Sequence, residues 1–262
     1  MEGDFGTALL LTTGAGLATT IGSVLGLAVR KPGARFLGFT LGFSAGVMIL
    51  VSFVELLPGS IEELGKALGA EAAGFAWAHL AFFAGMTVYF LIDVLVPHEY
   101  VGQHDYPAGA HTAGLARTGM LVALGIGIHN FPEGMATFVG TLQEVNTGIA
   151  IAVAIAIHNI PEGLAVSAPI YAATGSRRKA FFWSFLSGVS EPVGALVAGA
   201  VLVSFLTPVV FGCVLAVVAG IMVAISLDEL IPAAKSFGSE HMPIVGVIAG
   251  MAVMAVSLLL LK

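Results

Sequence analysis

The chain has 262 residues, of which 58% are hydrophobic and only 10% charged, with a mean hydropathy of +1.00 and a formal net charge of −6. Soluble domains carry about a quarter charged residues, so this chain has too little polar surface to face water and takes a lipid bilayer as its solvent. The single cysteine, Cys213, sits in an apolar run, which excludes a disulfide framework and a thiolate metal site, and no basic cluster of the kind that binds nucleic acid is present.

A span needs about 20 mostly apolar residues. In chain order such segments cover approximately 5–29, 36–57, 73–96, 118–142, 146–173, 180–204, 208–232 and 242–261. The first follows Met1-Glu2-Gly3-Asp4, acidic where a secretion signal would be basic, so it is expected to remain as a span. Connections are short except for 97–117, so residues 1–262 are expected to form a single transmembrane domain. With the N-terminus outside, Arg30, Lys31, Arg35, Arg117, Arg177, Arg178, Lys179 and Lys235 fall on the cytoplasmic side, leaving Lys66 and Lys262 outside. That asymmetry requires an even number of spans. The predicted fold is an all-α integral membrane protein of eight transmembrane helices, with both termini outside and a cytoplasmic loop at 97–117.

Two pairs of segments repeat. The fourth span holds His129-Asn130-Phe131-Pro132-Glu133-Gly134, and the fifth holds His158-Asn159-Ile160-Pro161-Glu162-Gly163. The second and seventh spans end in Ser52-Phe53-Val54-Glu55-Leu56-Leu57-Pro58 and Ser226-Leu227-Asp228-Glu229-Leu230-Ile231-Pro232. Within each pair the two spans run in opposite directions, which is an inverted repeat of the kind that places transporter sites near the bilayer midplane.

A charge at the midplane costs about 2.5–3.5 kcal/mol on insertion scales, so Glu133, Glu162 and Glu191 need a role. Each His precedes a Glu by four residues, so imidazole and carboxylate stack on one helix face and converge on a common point. Asn130 and Asn159 lie about 100° round from their histidines and offer amide oxygens to a neighbouring position. Glu191, before Pro192 on the sixth span, adds a third carboxylate. Pro132 and Pro161 each free a carbonyl, at Ile128 and Ile157, and are expected to kink the helix beside a watered cavity. Glue between helices accounts for one such His or Asn, but not for two copies of His-Asn-x-Pro-Glu-Gly with Glu191. Imidazole and carboxylate ligands suit zinc, iron, manganese or cobalt rather than copper(I).

The remaining polar residues divide two ways. Glu55, Asp228 and Glu229 either line an access path or are solvated helix ends. On the long loop, His98, Glu99, His104, Asp105 and His111 either receive exiting metal or are ordinary polar loop residues. Asp93 and His79 read as residues near span ends. Glu62, Glu63 and Glu71 lie on the outer side.

The paired hexapeptides with Ser190-Glu191-Pro192 resemble the ZIP family of metal transporters, its bacterial type in particular, and the resemblance covers the whole chain. It implies a binuclear metal centre between spans four, five and six. His129, Glu133, His158 and Glu162 match one position. Asn130, Asn159 and Glu191 match the second, with Glu133 and Glu162 bridging. It also implies that spans 1, 4, 5 and 6 form one unit against spans 2, 3, 7 and 8, moving as an elevator, and a homodimer. The expected function is uptake of zinc, with iron, manganese, cobalt and cadmium as further ions, across the bacterial inner membrane into the cytoplasm. The partners are then the bilayer and the divalent ion, carried as substrate with no organic cofactor. No ATP-binding P-loop is present, so the driving force is an ion gradient or a coupled ion. The alternative from another class is an intramembrane metallohydrolase with a zinc-bound water, against which stand the lack of His-Glu-x-x-His and the symmetric duplication of ligands. A metal sensor without transport is a third reading.

Overall fold

A helix bonds every backbone group within its own segment, which is what a hydrocarbon solvent demands of a spanning chain. The structure, a computed structural model, describes residues 3–28, 33–95, 110–202, 207–237 and 239–261, and among these every regular element is helical. In chain order they are α1 (Phe5–Ala28), α2 (Ala34–Leu68), α3 (Glu71–Leu95), α4 (Ala110–Gln143), α5 (Val145–Thr174), α6 (Arg177–Val197), α7 (Pro208–Ser236) and α8 (Met242–Leu261). All but α4 form a set of seven helices long and apolar enough to cross a membrane. Burial is inverted relative to a soluble bundle. Leu10, Leu80, Phe90 and Leu259 are exposed, while Thr12, Thr19, Ser23 and the acidic and imidazole side chains of the two hexapeptides are buried. The protein is a multi-pass membrane protein.

Helix ends follow local chemistry. Ser176 caps α6 by accepting from Lys179 N, and Thr207 caps α7 by accepting from Val210 N, with Pro208 in the first turn. Gly69 and Gly175, at φ 69° and 63°, end α2 and α5 in the left-handed region that glycine alone enters cheaply.

Two expectations change. α4 begins at Ala110, inside the stretch 97–117 expected to be a loop, so His111 and Arg117 lie on a helix. His98, Glu99, His104 and Asp105 fall outside the described residues. The second change is that α2 and α7 do not stop at Pro58 and Pro232 but run on to Leu68 and Ser236. Each does so through a π-helical turn, Ser52–Leu56 and Ser226–Leu230, in which the N–H of Leu57 donates to Ser52 O and that of Ile231 to Ser226 O. Widening the turn lets the helix continue past a residue that has no N–H to give. The prolines inside α4, α5 and α6 are likewise carried within continuous helices.

The helices sort into two units. α1, α4, α5 and α6 pack mainly on one another, as do α2, α3, α7 and α8. Glycines set this sorting by allowing backbones to touch, as small residues do in membrane helix pairs. They work reciprocally. In the first unit a Cβ at Gly134 would strike Glu191 O and one at Gly194 would strike Phe131 O; Gly22 and Gly163 meet Ile160 O and Thr19 O in the same fashion. In the second, Gly42 and Gly246 seat α2 on α8, while Gly85 and Gly220 seat α3 on α7. Among the described glycines none makes such a backbone contact between the units. There, Gly125 of α4 meets the carboxylate of Glu229 on α7.

Candidate metal centre

All seven ligand candidates, His129, Asn130, Glu133, His158, Asn159, Glu162 and Glu191, are buried and meet where α4, α5 and α6 face each other. The spacing predicts that each His converges with the Glu four residues on. The structure does bring His129 and Glu133 into one cluster, and it adds pairs across helices. His129 Nε2 on α4 lies 3.0 Å from Glu162 Oε1 on α5, and His158 Nε2 on α5 lies 3.2 Å from Glu133 Oε1 on α4. Antiparallel packing of two near-identical motifs brings the first residue of one beside the fifth of the other, so cross-pairs join the same-face pair. One ligand atom each from His129, Glu133 and Glu162 falls within 4.8 Å of the others, close enough to share an ion.

Hydrogen bonding shows why this cluster wants a cation. Both ring nitrogens of His129 face acceptors, Nδ1 at 3.3 Å from Gly125 O and Nε2 at 3.0 Å from Glu162 Oε1. A neutral imidazole has one N–H, so it sets a lone pair against one of these oxygens. A proton or a metal ion between them removes the clash. Three further oxygens, Glu133 Oε2, Asn159 Oδ1 and Glu191 Oε2, are buried with no hydrogen-bond partner. Buried acceptors without donors are costly, and a divalent ion satisfies several at once.

The asparagines are held by the helices behind them. Asn159 Nδ2 donates to Ala15 O on α1, at 2.8 Å, and to Glu191 Oε1 on α6. Asn130 Nδ2 donates to Ser187 O on α6 at 3.3 Å, which points its oxygen at Ile126 O and Glu162 Oε2. Those two are acceptors as well, so either a cation lies between the oxygens or the amide turns over. The closing glycine of each hexapeptide also gains a purpose that spacing alone does not reveal. Gly134 seats α4 on the carbonyl of Glu191, and Gly163 seats α5 on that of Thr19.

The access candidates separate. Glu55 is exposed, and it lines a cavity of about 20 Å³ together with Glu133, His158, Ile151, Ala154 and Val218, room for about one water or one bare ion. Glu229 is 3% exposed, so it is no solvated helix end; its carboxylate lies against Gly125, one turn from His129, and within electrostatic reach of Asp93, Asp228 and His129. Asp228 itself is exposed and borders a cavity of about 410 Å³ between α3 and α7. Asp93 is not merely a span-end residue, because α3 delivers it, with Tyr89, to Glu229. His79 bonds within its own helix turn, to Phe75 O at 2.8 Å. His98 and His104 lie outside the described residues, and the side chain of His111 is not described either.

Comparison with known proteins identifies the family. The family model described as ZIP Zinc transporter matches residues 98–258. A protein named zinc transporter ZupT from Chlorobium phaeovibrioides is 57% identical, over 98% of this chain and 99% of its own length. Proteins of the same name are 51% identical in Corynebacterium aurimucosum, covering 94% of this chain and 93% of that one, and 48% identical in Streptococcus mutans, covering 97% of each. The chain therefore belongs to the ZIP family of zinc transporters.

Proposed function

We propose that the protein carries Zn²⁺ across the bacterial inner membrane into the cytoplasm through a binuclear centre at the meeting of α4, α5 and α6. The observation that carries this reading is the cross-pairing of two buried His–Glu pairs beside three buried oxygens that no donor satisfies. His129, Glu133, His158 and Glu162 surround the first position. Asn130, Asn159 and Glu191 complete the second, with Glu133 and Glu162 shared. Iron, manganese, cobalt and cadmium are further substrates that this oxygen-and-imidazole set accommodates. All eight helices cross the bilayer, with both termini outside, and Glu55 marks the outer approach while Asp228 and Glu229 mark the inner one.

Two further features follow the family. The glycine-locked units, α1 with α4, α5 and α6 and α2 with α3, α7 and α8, are the bodies that move past each other, since among the described residues glycine backbone contacts bind within each unit and not across. A second copy of the chain is the protein partner, as a homodimer. ZIP proteins are transporters and not enzymes, which removes the metallohydrolase reading. Purified protein in liposomes should pass zinc down its gradient without cleaving peptide. Peptide hydrolysis with no flux would overturn the proposal, and binding without flux would favour a sensor.

A further inference from the structure

α1 supplies no ligand side chain to the proposed centre, yet its backbone reaches the second metal position. Asn159 has one amide to spend, and it donates to Ala15 O at 2.8 Å as well as to Glu191. That leaves Asn159 Oδ1 and Glu191 Oε2 as buried atoms without partners. One residue on, α1 crosses α6 at Gly16 and Gly188. A Cβ at Gly16 would lie 2.5 Å from Gly188 O, 3.2 Å from Glu191 Cβ and 3.4 Å from Glu191 Cδ, so the carboxylate is packed directly over the bare Cα. A Cβ at Gly188 would lie 2.5 Å from Gly16 O and 3.1 Å from Thr19 Cβ.

The crossing is also symmetric. α6 presents Ser187 O to Asn130, Glu191 O to Gly134 and Gly194 to Phe131 O; α1 presents Ala15 O to Asn159, Thr19 O to Gly163 and Gly22 to Ile160 O. Residues 15–22 thus repeat residues 187–194, with Gly16 matching Gly188. Glu191 is matched by Thr19, whose side chain is too short to reach a ligand set. One arm of the repeat holds a ligand and the other only holds the ligand's partners.

We propose that Ala15 and Gly16 of α1 are positioning residues for the second metal position: Ala15 O turns the oxygen of Asn159 toward the ion, and the bare Cα of Gly16 seats Glu191 beside it. This rests on the two-position reading above. The ions that lean most on carboxylate oxygen, manganese and iron, depend on this seating more than zinc does.

The test is single-metal uptake of manganese and of zinc in cells, normalised to surface protein. Glu191→Ala should lower the manganese-to-zinc ratio, and Gly16→Ala should lower it in the same direction by about tenfold. Because Gly16 acts through Glu191, the double variant should be no lower than Glu191→Ala alone. Gly26→Ala is the control. It is crowded by side chains rather than by a backbone oxygen, with a Cβ 2.5 Å from Ser167 Oγ and 3.1 Å from Leu164 Cδ1, and it lies about three turns along α1 from Gly16, so it should keep the wild-type ratio. If Gly16→Ala does not reach the membrane, Gly188→Ala opens the same crossing from the other side and is read by the same ratios. An unchanged ratio in these variants, multiplication of the two effects in the double variant, or an equal shift in Gly26→Ala overturns the proposal. A wild-type ratio in Glu191→Ala would instead end the two-position reading on which it stands.

Discussion

Replacing Glu133 or Glu162 by Gln removes one charge from the centre while keeping side-chain size and one oxygen. Glu133 is fully buried, with Oε1 at 3.2 Å from His158 Nε2 and Oε2 facing no donor. A glutamine amide must put its NH₂ at one of those two places. At the first it stands against the imidazole nitrogen, and at the second it turns a donor toward the ion. Removing one member of a buried charged set costs about 3–5 kcal/mol, and at about 1.4 kcal/mol per tenfold this is a loss of roughly 140- to 4,000-fold in zinc affinity. The same holds for Glu162, whose Oε1 is 3.0 Å from His129 Nε2. Zinc uptake at subsaturating concentration, read by ICP-MS and normalised to surface protein, should therefore fall to background in each variant with expression intact. Wild-type uptake in Glu162→Gln would refute the assignment, because Glu162 supplies the carboxylate that lies 3.0 Å from His129 Nε2.

The remaining predictions concern access, topology and protons. Histidine and carboxylate ligands bind metal deprotonated, so uptake at subsaturating zinc should decline as external pH falls from neutral to about 5, and flat initial rates would place control elsewhere. His104→Cys in a Cys213→Ser background should resist an impermeant thiol reagent applied to intact cells; labelling from outside would invert the topology. Glu55→Gln should raise the KM for zinc severalfold, about what one lost charge at a partly solvated approach removes, with little change in maximal rate. An unchanged KM would take Glu55 off the path.

The two hexapeptides were legible because each packs several unusual residues into a short window, and a His, Asn or Glu inside an apolar helix is costly unless it binds something. Helix extents were legible for α1, α3, α5 and α8, whose ends coincide with the ends of apolar runs. Pro58 and Pro232 misled, because a proline near the end of an apolar run reads as a stop, and no residue type announces the π-helical turn that precedes each of these two. The cross-pairing of His129 with Glu162 was hidden by geometry: periodicity places residues on a face of their own helix, whereas contact depends on the offset between two helices. Asp93 escaped in the same way, since only the packing of α3 on α7 brings it to Glu229.

The α1–α6 repeat shows how far such blindness extends. Its visible trace is two glycines six residues apart in each helix, Gly16 and Gly22 against Gly188 and Gly194, in a chain that holds 34 glycines. What is repeated is a backbone surface of two carbonyls and one bare Cα, onto which a His-Asn-x-Pro-Glu-Gly segment docks, with a second bare Cα where the two arms cross. Side chains off that surface differ between the arms, so Glu191 on α6 is matched by Thr19 on α1. A symmetric frame with unequal arms has a functional consequence. If both arms carried a carboxylate, the centre would gather an extra negative charge and hold its ion more tightly, which slows release in a carrier. With Thr19 on the other arm, the frame keeps its geometry and, on the two-position reading proposed above, sets one carboxylate rather than two beside the second ion.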